Sequence, residues 1–404
     1  MKKKVISLML AACMVMGMTA CGSSASTTDS QPAADGTTSE TQAATTDAAA
    51  QTTESTGDKE LAVQIGPDPE TIDPALNSAV DGGNMLLHAY ECLLTVGEDG
   101  TLQPGQAESY DVSEDGLTWT FHLRDGLKWS DGSDLTANDF VYSWKRVCDP
   151  EVAAPYAETV LGMVKGYDEA IDGNLDALGV SAPDDSTLVV ELANPCSYFG
   201  SLAAFATLSP VQEATIEANG EAWATAPETY VSNGPFYMTE WVPGSHITFS
   251  KNPYYWNADA IKLDRLKFVL MEDSNAAYSA YQTGEVLMIK DVPTEEIPSL
   301  TGTDDFYVDP IIGTYYISLN IQKAPFDDVN VRKALSLAID REYVASTLMQ
   351  GTYTAAGNFM GPGWMDTDGT EFMSNANGGK PYIDTTNFEA NLEEAKQLLA
   401  DAGY

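Results

Sequence analysis

Apolar and polar positions alternate over residues 118–123, where Trp119, Phe121 and Leu123 are separated by Thr120 and His122, the period of a strand with one buried face. Asp125-Gly126 then reads as a turn, Leu127 and Trp129 as the partner strand, and Asp131-Gly132 as its close. His122 falls at a surface or edge position. Thr136 and Asp139 have capping-box spacing, and behind them Phe140, Val141, Trp144, Val147 and Cys148 share one side of a helix with Lys145 and Arg146 in its last turn. Further strands are predicted over 61–65, 186–192 (after an Asp184-Asp185 turn), 247–250, 266–271 and 315–321. Helices are predicted over 83–94, 275–282 (ending at Gly284), 329–349 and 391–402. The third is the longest, with Val331, Leu335, Ala338 and Ile339 on one stripe. The fourth is capped by Asn391 with Glu394 completing the box, and ends at Gly403. Strands and helices in mixed order point to an α/β architecture with mixed sheets.

The first residues follow a different logic. Lys2, Lys3 and Lys4 precede an apolar run over 5–17, and Met18-Thr19-Ala20 leads into Cys21, which is the layout of a secretory signal peptide. Cys21 followed by Gly22-Ser23-Ser24 resembles a bacterial lipoprotein signal, in which the thiol takes a diacylglyceryl group. Plain secretion would leave Cys21 without a role, and the apolar run is shorter than the ~20 residues of a spanning helix. Residues 22–58 are Ser, Thr, Ala, Gln and Gly with scattered acids and no aromatic residue, too polar to repay the entropy of ordering. They read as a flexible tether giving the folded part reach above a membrane, or simply as a disordered tail.

Charge narrows the partners. The chain carries 60 acidic and 20 basic residues, a formal net charge of −40, and only six of the acids lie in the tether. Such a body repels nucleic acid and anionic lipid, while suiting solubility and drawing in cationic ligands. Residues 59–404 are enough for two or three cores. With Cys13 in the signal and Cys21 lipidated, Cys92, Cys148 and Cys196 remain, without CxxC spacing, and read as small buried hydrophobes. His88, His122 and His246 lack metal-ligand spacing, so neither metal nor cofactor is expected. No HExxH, GxSxG or Walker A pattern occurs, since Gly378-Gly379-Lys380 is followed by Pro381 and lacks the upstream glycine. Acid pairs such as Glu295-Glu296 and Asp304-Asp305 read as solvated surface. No catalytic residue is assigned and the chain is not expected to be an enzyme.

Residues 115–146, DGLTWTFHLRDGLKWSDGSDLTANDFVYSWKR, are followed in order by Asp149-Pro150, Ala154-Pro155-Tyr156, Ser232-Asn233-Gly234, Asn252-Pro253-Tyr254-Tyr255-Trp256, Thr283-Gly284-Glu285, Phe326-Asp327-Asp328-Val329 and Leu337-Ala338-Ile339-Asp340-Arg341. This series closely resembles the bacterial extracellular solute-binding proteins of family 5, the oligopeptide-binding proteins of peptide ABC transporters, over roughly residues 60–404. The resemblance implies an α/β, two-lobed periplasmic-binding-protein-like fold with mixed sheets and an inserted subdomain. On that reading 1–20 is the lipoprotein signal peptide, 21–58 the tether, 59–91 and 212–312 lobe I, 92–211 the insertion, and 313–404 an incomplete lobe II. In this family lobe II continues past a helix like 391–402, whose apolar face of Leu392, Ala395, Leu398 and Leu399 no strand follows here. The acidic residue that binds a peptide's amino terminus is therefore expected beyond Tyr404.

The resemblance also implies function and site. Oligopeptides would be captured between the lobes by an extracytoplasmic, lipid-anchored monomer and delivered to ABC permease subunits in the membrane. Carried over by position, Ser78, Ala79 and Val80 match a cleft-edge segment, Tyr156 a ligand-contacting tyrosine, and Thr314, Tyr316 and Ser318 the strand that opens lobe II. Tyr316 and Ser318 would share one face of that strand, with Tyr315 toward the lobe's core. Tyr156 reads equally well as packing, and 78–80 as an ordinary loop. Ser318 stands where some relatives carry a carboxylate, and Met349 where some carry a lysine. The alternatives are the same fold holding a nickel chelate, haem or sugar, and a cell-envelope hydrolase.

Overall fold

The computed structural model describes residues 59–309, 311–366 and 368–404; the signal run, the tether and Cys21 lie outside them. In chain order the strands are β1 (Glu60–Gly66), β2 (Leu94–Val96), β3 (Leu102–Pro104), β4 (Ala107–Val112), β5 (Thr118–Leu123), β6 (Val180–Asp184), β7 (Thr187–Glu191), β8 (Phe236–Val242), β9 (His246–Lys251) and β10 (Arg265–Leu270). The helices that matter here are α1 (Val80–Ala89), α2 (Ala137–Val147), α3 (Ala157–Leu161), α4 (Ser274–Thr283), α5 (Val329–Leu337) and α6 (Phe388–Asp401).

One sheet has the order β1-β10-β9-β8. β1 and β10 run parallel and the other pairs antiparallel. Since parallel neighbours need a long crossover, everything between residues 67 and 264 connects them. Ile247, Phe249, Leu266 and Phe268 form the buried face, and α1 lays Met85, Leu86 and Ala89 into the same core. The crossover leaves and returns at adjacent points. Glu91 N donates to Asn233 Oδ1 at 3.1 Å, Asn233 Nδ2 to Glu91 O at 2.9 Å, and Gly234 N to Ala89 O at 2.8 Å.

A second, antiparallel sheet has the order β4-β5-β7-β6. Trp119, Phe121 and Leu123 of β5 are buried, as their alternation predicts, in the same core as Phe140, Trp144 and Val147 of α2. The predicted cap of α2 is present, with Asp139 Oδ2 accepting from Thr136 N at 2.7 Å and from its hydroxyl at 3.2 Å. Leu127 and Trp129, however, do not form the partner strand of β5. Both its edges are taken, Phe121 lying opposite Tyr110 of β4 and Leu188 of β7. The short segment after the turn is left one isolated bridge, Lys128 to Asp134, while Leu127 and Trp129 fill the core. His122 is thus half-exposed on a central strand, with Nε2 3.0 Å from Asp111 Oδ2.

Other boundaries shift for local reasons. α1 ends at Ala89, because Tyr90 turns extended and its hydroxyl bonds Val231 O, and Leu94 already begins β2. Over 329–349 the helix breaks after Leu337: the Asp340 carboxylate accepts from Tyr343 N at 3.0 Å and starts a new turn. Leu335 and Ile339 are consequently exposed, and Val331, Ala334 and Leu337 are the buried stripe. Among the described residues α6, with 14, is the longest helix. Asn391 lies inside it, donating to Asp384 O, so it is not the cap; Asn387 precedes the first turn. Ala395, Leu398 and Leu399 pack with Ala334, Leu337 and Ile383, so α5 covers the face for which no strand was found.

Residues 315–321 are not a strand. A strand needs neighbours for its N–H and C=O groups, and no strand of the described residues pairs with this segment. Tyr315, expected to face a core, is 91% exposed. Cys92, Cys148 and Cys196 are all buried and free. Among the described residues no helix is long and apolar enough to cross a membrane.

Candidate ligand-binding site

Ser78, Ala79 and Val80 lie exposed at the start of α1, with Ala79 as its N-cap residue. The loop before them is firmly tied. The Asp73 carboxylate, buried, accepts from Arg146 Nη1 at 3.0 Å and Nη2 at 2.6 Å, and from Trp223 Nε1 at 3.2 Å. Tyr156, immediately before α3, is half-buried with its ring edge-on to Phe205, centroids 5.3 Å apart. Thr314 donates its hydroxyl to Phe359 O, and Tyr316 sets its ring 5.1 Å from that of Phe359. Ser318 is exposed.

The structure therefore joins Thr314 to Tyr316 through Phe359. No hydrogen bond or ring contact among the described residues links the 78–80, Tyr156 and 314–318 groups to one another. Cys21 is outside the described residues. Neither Phe205 nor Phe359 stood out in the sequence, because an isolated Phe carries no spacing signal. Arg146 showed only as a cation in a last helical turn, and its partner is 73 positions away.

A second polar cluster also escaped sequence reasoning. Glu91 Oε2 accepts from Gln106 Nε2 and Trp256 Nε1, each at 2.6 Å, and Oε1 from Tyr255. Arg124 lies 3.6 Å over the Trp256 ring and donates to Gly105 O. Burial raises the Glu91 carboxyl above its usual range, and the bonds from Tyr255, Trp256 and Gln106 offset only part of that. Tyr255 is pushed up as well, by burial and by Glu91. The cluster ties the β3–β4 turn and the end of β5 to the Asn252–Trp256 turn.

A cavity of about 600 Å³ lies elsewhere, lined by Glu70, Pro227, Glu228, Glu240, Trp241 and Pro243 among others, and by none of the predicted ligand residues. Among the described residues no group of three or more His, Cys, Asp or Glu is placed to hold a metal ion.

Residues 101–404 match the family described as bacterial extracellular solute-binding proteins, family 5 Middle. The chain belongs to this family. It is 36% identical to the oligopeptide-binding protein OppA of Bacillus subtilis and 38% identical to the periplasmic oligopeptide-binding protein OppA of Escherichia coli. Those alignments cover 85% and 84% of the chain but 65% and 62% of the relatives, so the family 5 chain spans less than two thirds of their length. Among solved structures it is similar to Haemophilus influenzae OppA in complex with RPPGFSPFR, with TM-score 0.76 and 34% identity, over 86% of this chain and 67% of that one. The Borrelia burgdorferi periplasmic oligopeptide-binding protein gives TM-score 0.78 and 33% identity over the same shares. Over the part it spans, the family 5 chain has the mixed α/β fold of these two-lobed binding proteins.

Proposed function

We propose that this chain is the substrate-binding component of a peptide ABC importer, capturing oligopeptides between two lobes and handing them to permease subunits. The observation that carries the reading is the similarity, over 86% of the chain, to a protein crystallised with the peptide RPPGFSPFR. A protein that accepts many sequences must hold the main chain and termini that all peptides share, and closure of two lobes buries those groups. Ser78 to Val80, Tyr156 and the Thr314–Tyr316–Ser318 segment are the proposed contacts, and the lobe boundaries of the sequence reading belong to the same proposal. So do Cys21 as lipid attachment site, a monomeric state, and the absence of catalysis.

The test is to purify the full-length native protein, denature it, and analyse the released small molecules by mass spectrometry. Peptides of mixed sequence and narrow length range are expected. A second reading keeps the fold and changes the solute. A relative from Escherichia coli, 34% identical, is a probable deoxycholate-binding periplasmic protein, so ligands other than peptides occur on similar chains. Release of one defined non-peptide compound would select this second reading, and turnover of added peptide would remove both.

A further inference from the structure

The loop presenting Ser78 to Val80 is connected to a buried ion pair by an unbroken series of contacts. Asp73 is 2% exposed and receives both Nη groups of Arg146 from the last turn of α2. Its carbonyl accepts from Leu76 N at 3.1 Å and Asn77 N at 2.9 Å, and Asn77 Nδ2 donates to Ala79 O at 3.0 Å. Gly82 closes the arrangement from below: a Cβ there would stand 2.2 Å from Asn77 Oδ1 and 2.6 Å from Thr71 O.

We propose that the Asp73–Arg146 pair is a positioning device for ligand binding, setting the placement of Ser78, Ala79 and Val80 through Asn77 without itself touching ligand. The proposal rests on 78–80 being ligand contacts. Both charged groups are too enclosed to reach a ligand, since their side chains are 4% and 12% exposed. A buried pair is also a poor source of net stability, because desolvation consumes most of the Coulombic gain. What a two-pronged guanidinium–carboxylate contact does supply is direction, which a single ammonium donor cannot. Asp73 is held against rotation by those two bonds and by Trp223, so the turn that follows it leaves at a defined angle.

The experiment uses the full-length native protein with Arg146→Met, Arg146→Lys and, as a control for general destabilisation, Phe249→Leu in β9. The probe is a pool of synthetic peptides of randomised sequence with free termini, from tripeptides up to the length of RPPGFSPFR. Affinity is expected to fall about tenfold in Arg146→Met and by a smaller factor in Arg146→Lys, while Phe249→Leu loses thermal stability and keeps wild-type affinity. If Arg146→Met does not fold, Arg146→Lys decides. Lysine or methionine variants that bind within about twofold of wild type would overturn the proposal. So would a control that loses affinity in step with its Tm. Wild-type protein that binds none of the pool removes the peptide reading and this proposal with it, whereas wild-type binding with unaffected variants removes only the latter.

Discussion

Glu91 shows how much a single side chain can organise. Its carboxylate is the shared acceptor of three donors from two distant stretches, Gln106 on one side and Tyr255 and Trp256 on the other. Glu91→Gln keeps the shape but turns one acceptor atom into a donor facing donors. We expect a loss of about 1–3 kcal/mol, read as a lower urea midpoint with unchanged slope; an unaltered midpoint would remove Glu91 from its organising role. The cysteines give a pH-dependent counterpart. Burial pushes the thiols of Cys92 and Cys148 up to about 12 from 9.0. Folding thus holds their protons more tightly than the unfolded chain does. That contribution to stability is complete below pH 9 and is lost as pH rises toward 12. At pH 8 a thiol reagent should leave both residues unlabelled in native protein and label them after denaturation, and native labelling would contradict their burial. The cysteine environment was legible in the sequence, where three thiols without metal or redox spacing suggest small hydrophobes. Glu91 was not, because its partners are up to 165 positions away.

At the level of elements, periodicity located β1, β5, β7, β9 and β10 and the helices α1, α2, α4, α5 and α6 but missed β2, β3, β4, β6 and β8, and the errors of pairing came from partners it cannot see. β5 was recognised by its alternation, but whether its neighbour is the next segment or a strand that places Thr187 opposite His122 depends on which edges other strands occupy. The long helix predicted over 329–349 was broken by Asp340, whose carboxylate does better capping a new turn than sitting inside an old one. Asp340→Ala should cost about 1 kcal/mol, visible as a small fall in Tm, and a neutral result would deny the cap its importance. The start of α1 is more sensitive. Gly82→Ala places a methyl group against Thr71 O and Asn77 Oδ1, so a loss of about 1–3 kcal/mol is expected. Adding Asn77→Ala should recover part of it but not all, because Thr71 O is backbone.

For the whole molecule, the order of motifs was enough to name the family, since eight patterns in fixed sequence constrain a fold more than any one of them. The proposed ligand contacts were less legible: they lie on three separate stretches whose mutual placement no local pattern encodes, and among the described residues the stretch carrying Tyr316 makes no strand pairing. A net charge of −40 acts on the molecule as a whole. Self-repulsion should be relieved by screening, so Tm is expected to rise between 10 and 150 mM salt, where the Debye length shrinks from about 30 to about 8 Å; a flat response would mean the charges are too dispersed to matter. On the proposed lipid anchoring, Cys21→Ser should shift the protein from the membrane to the soluble fraction, and a variant still held at the membrane would refute that proposal. The adjacency of Glu91 and Asn233 carries a last consequence. The chain leaves its first sheet and re-enters it through residues already within hydrogen-bond reach, and the intervening block is clasped there a second time by Arg146 and Trp223 on Asp73 and a third by Arg124 over Trp256. Genetic removal of that block would therefore strip the buried Asp73 carboxylate of Arg146 and Trp223 and open the core that the block shares with the first sheet, even though its two ends lie side by side.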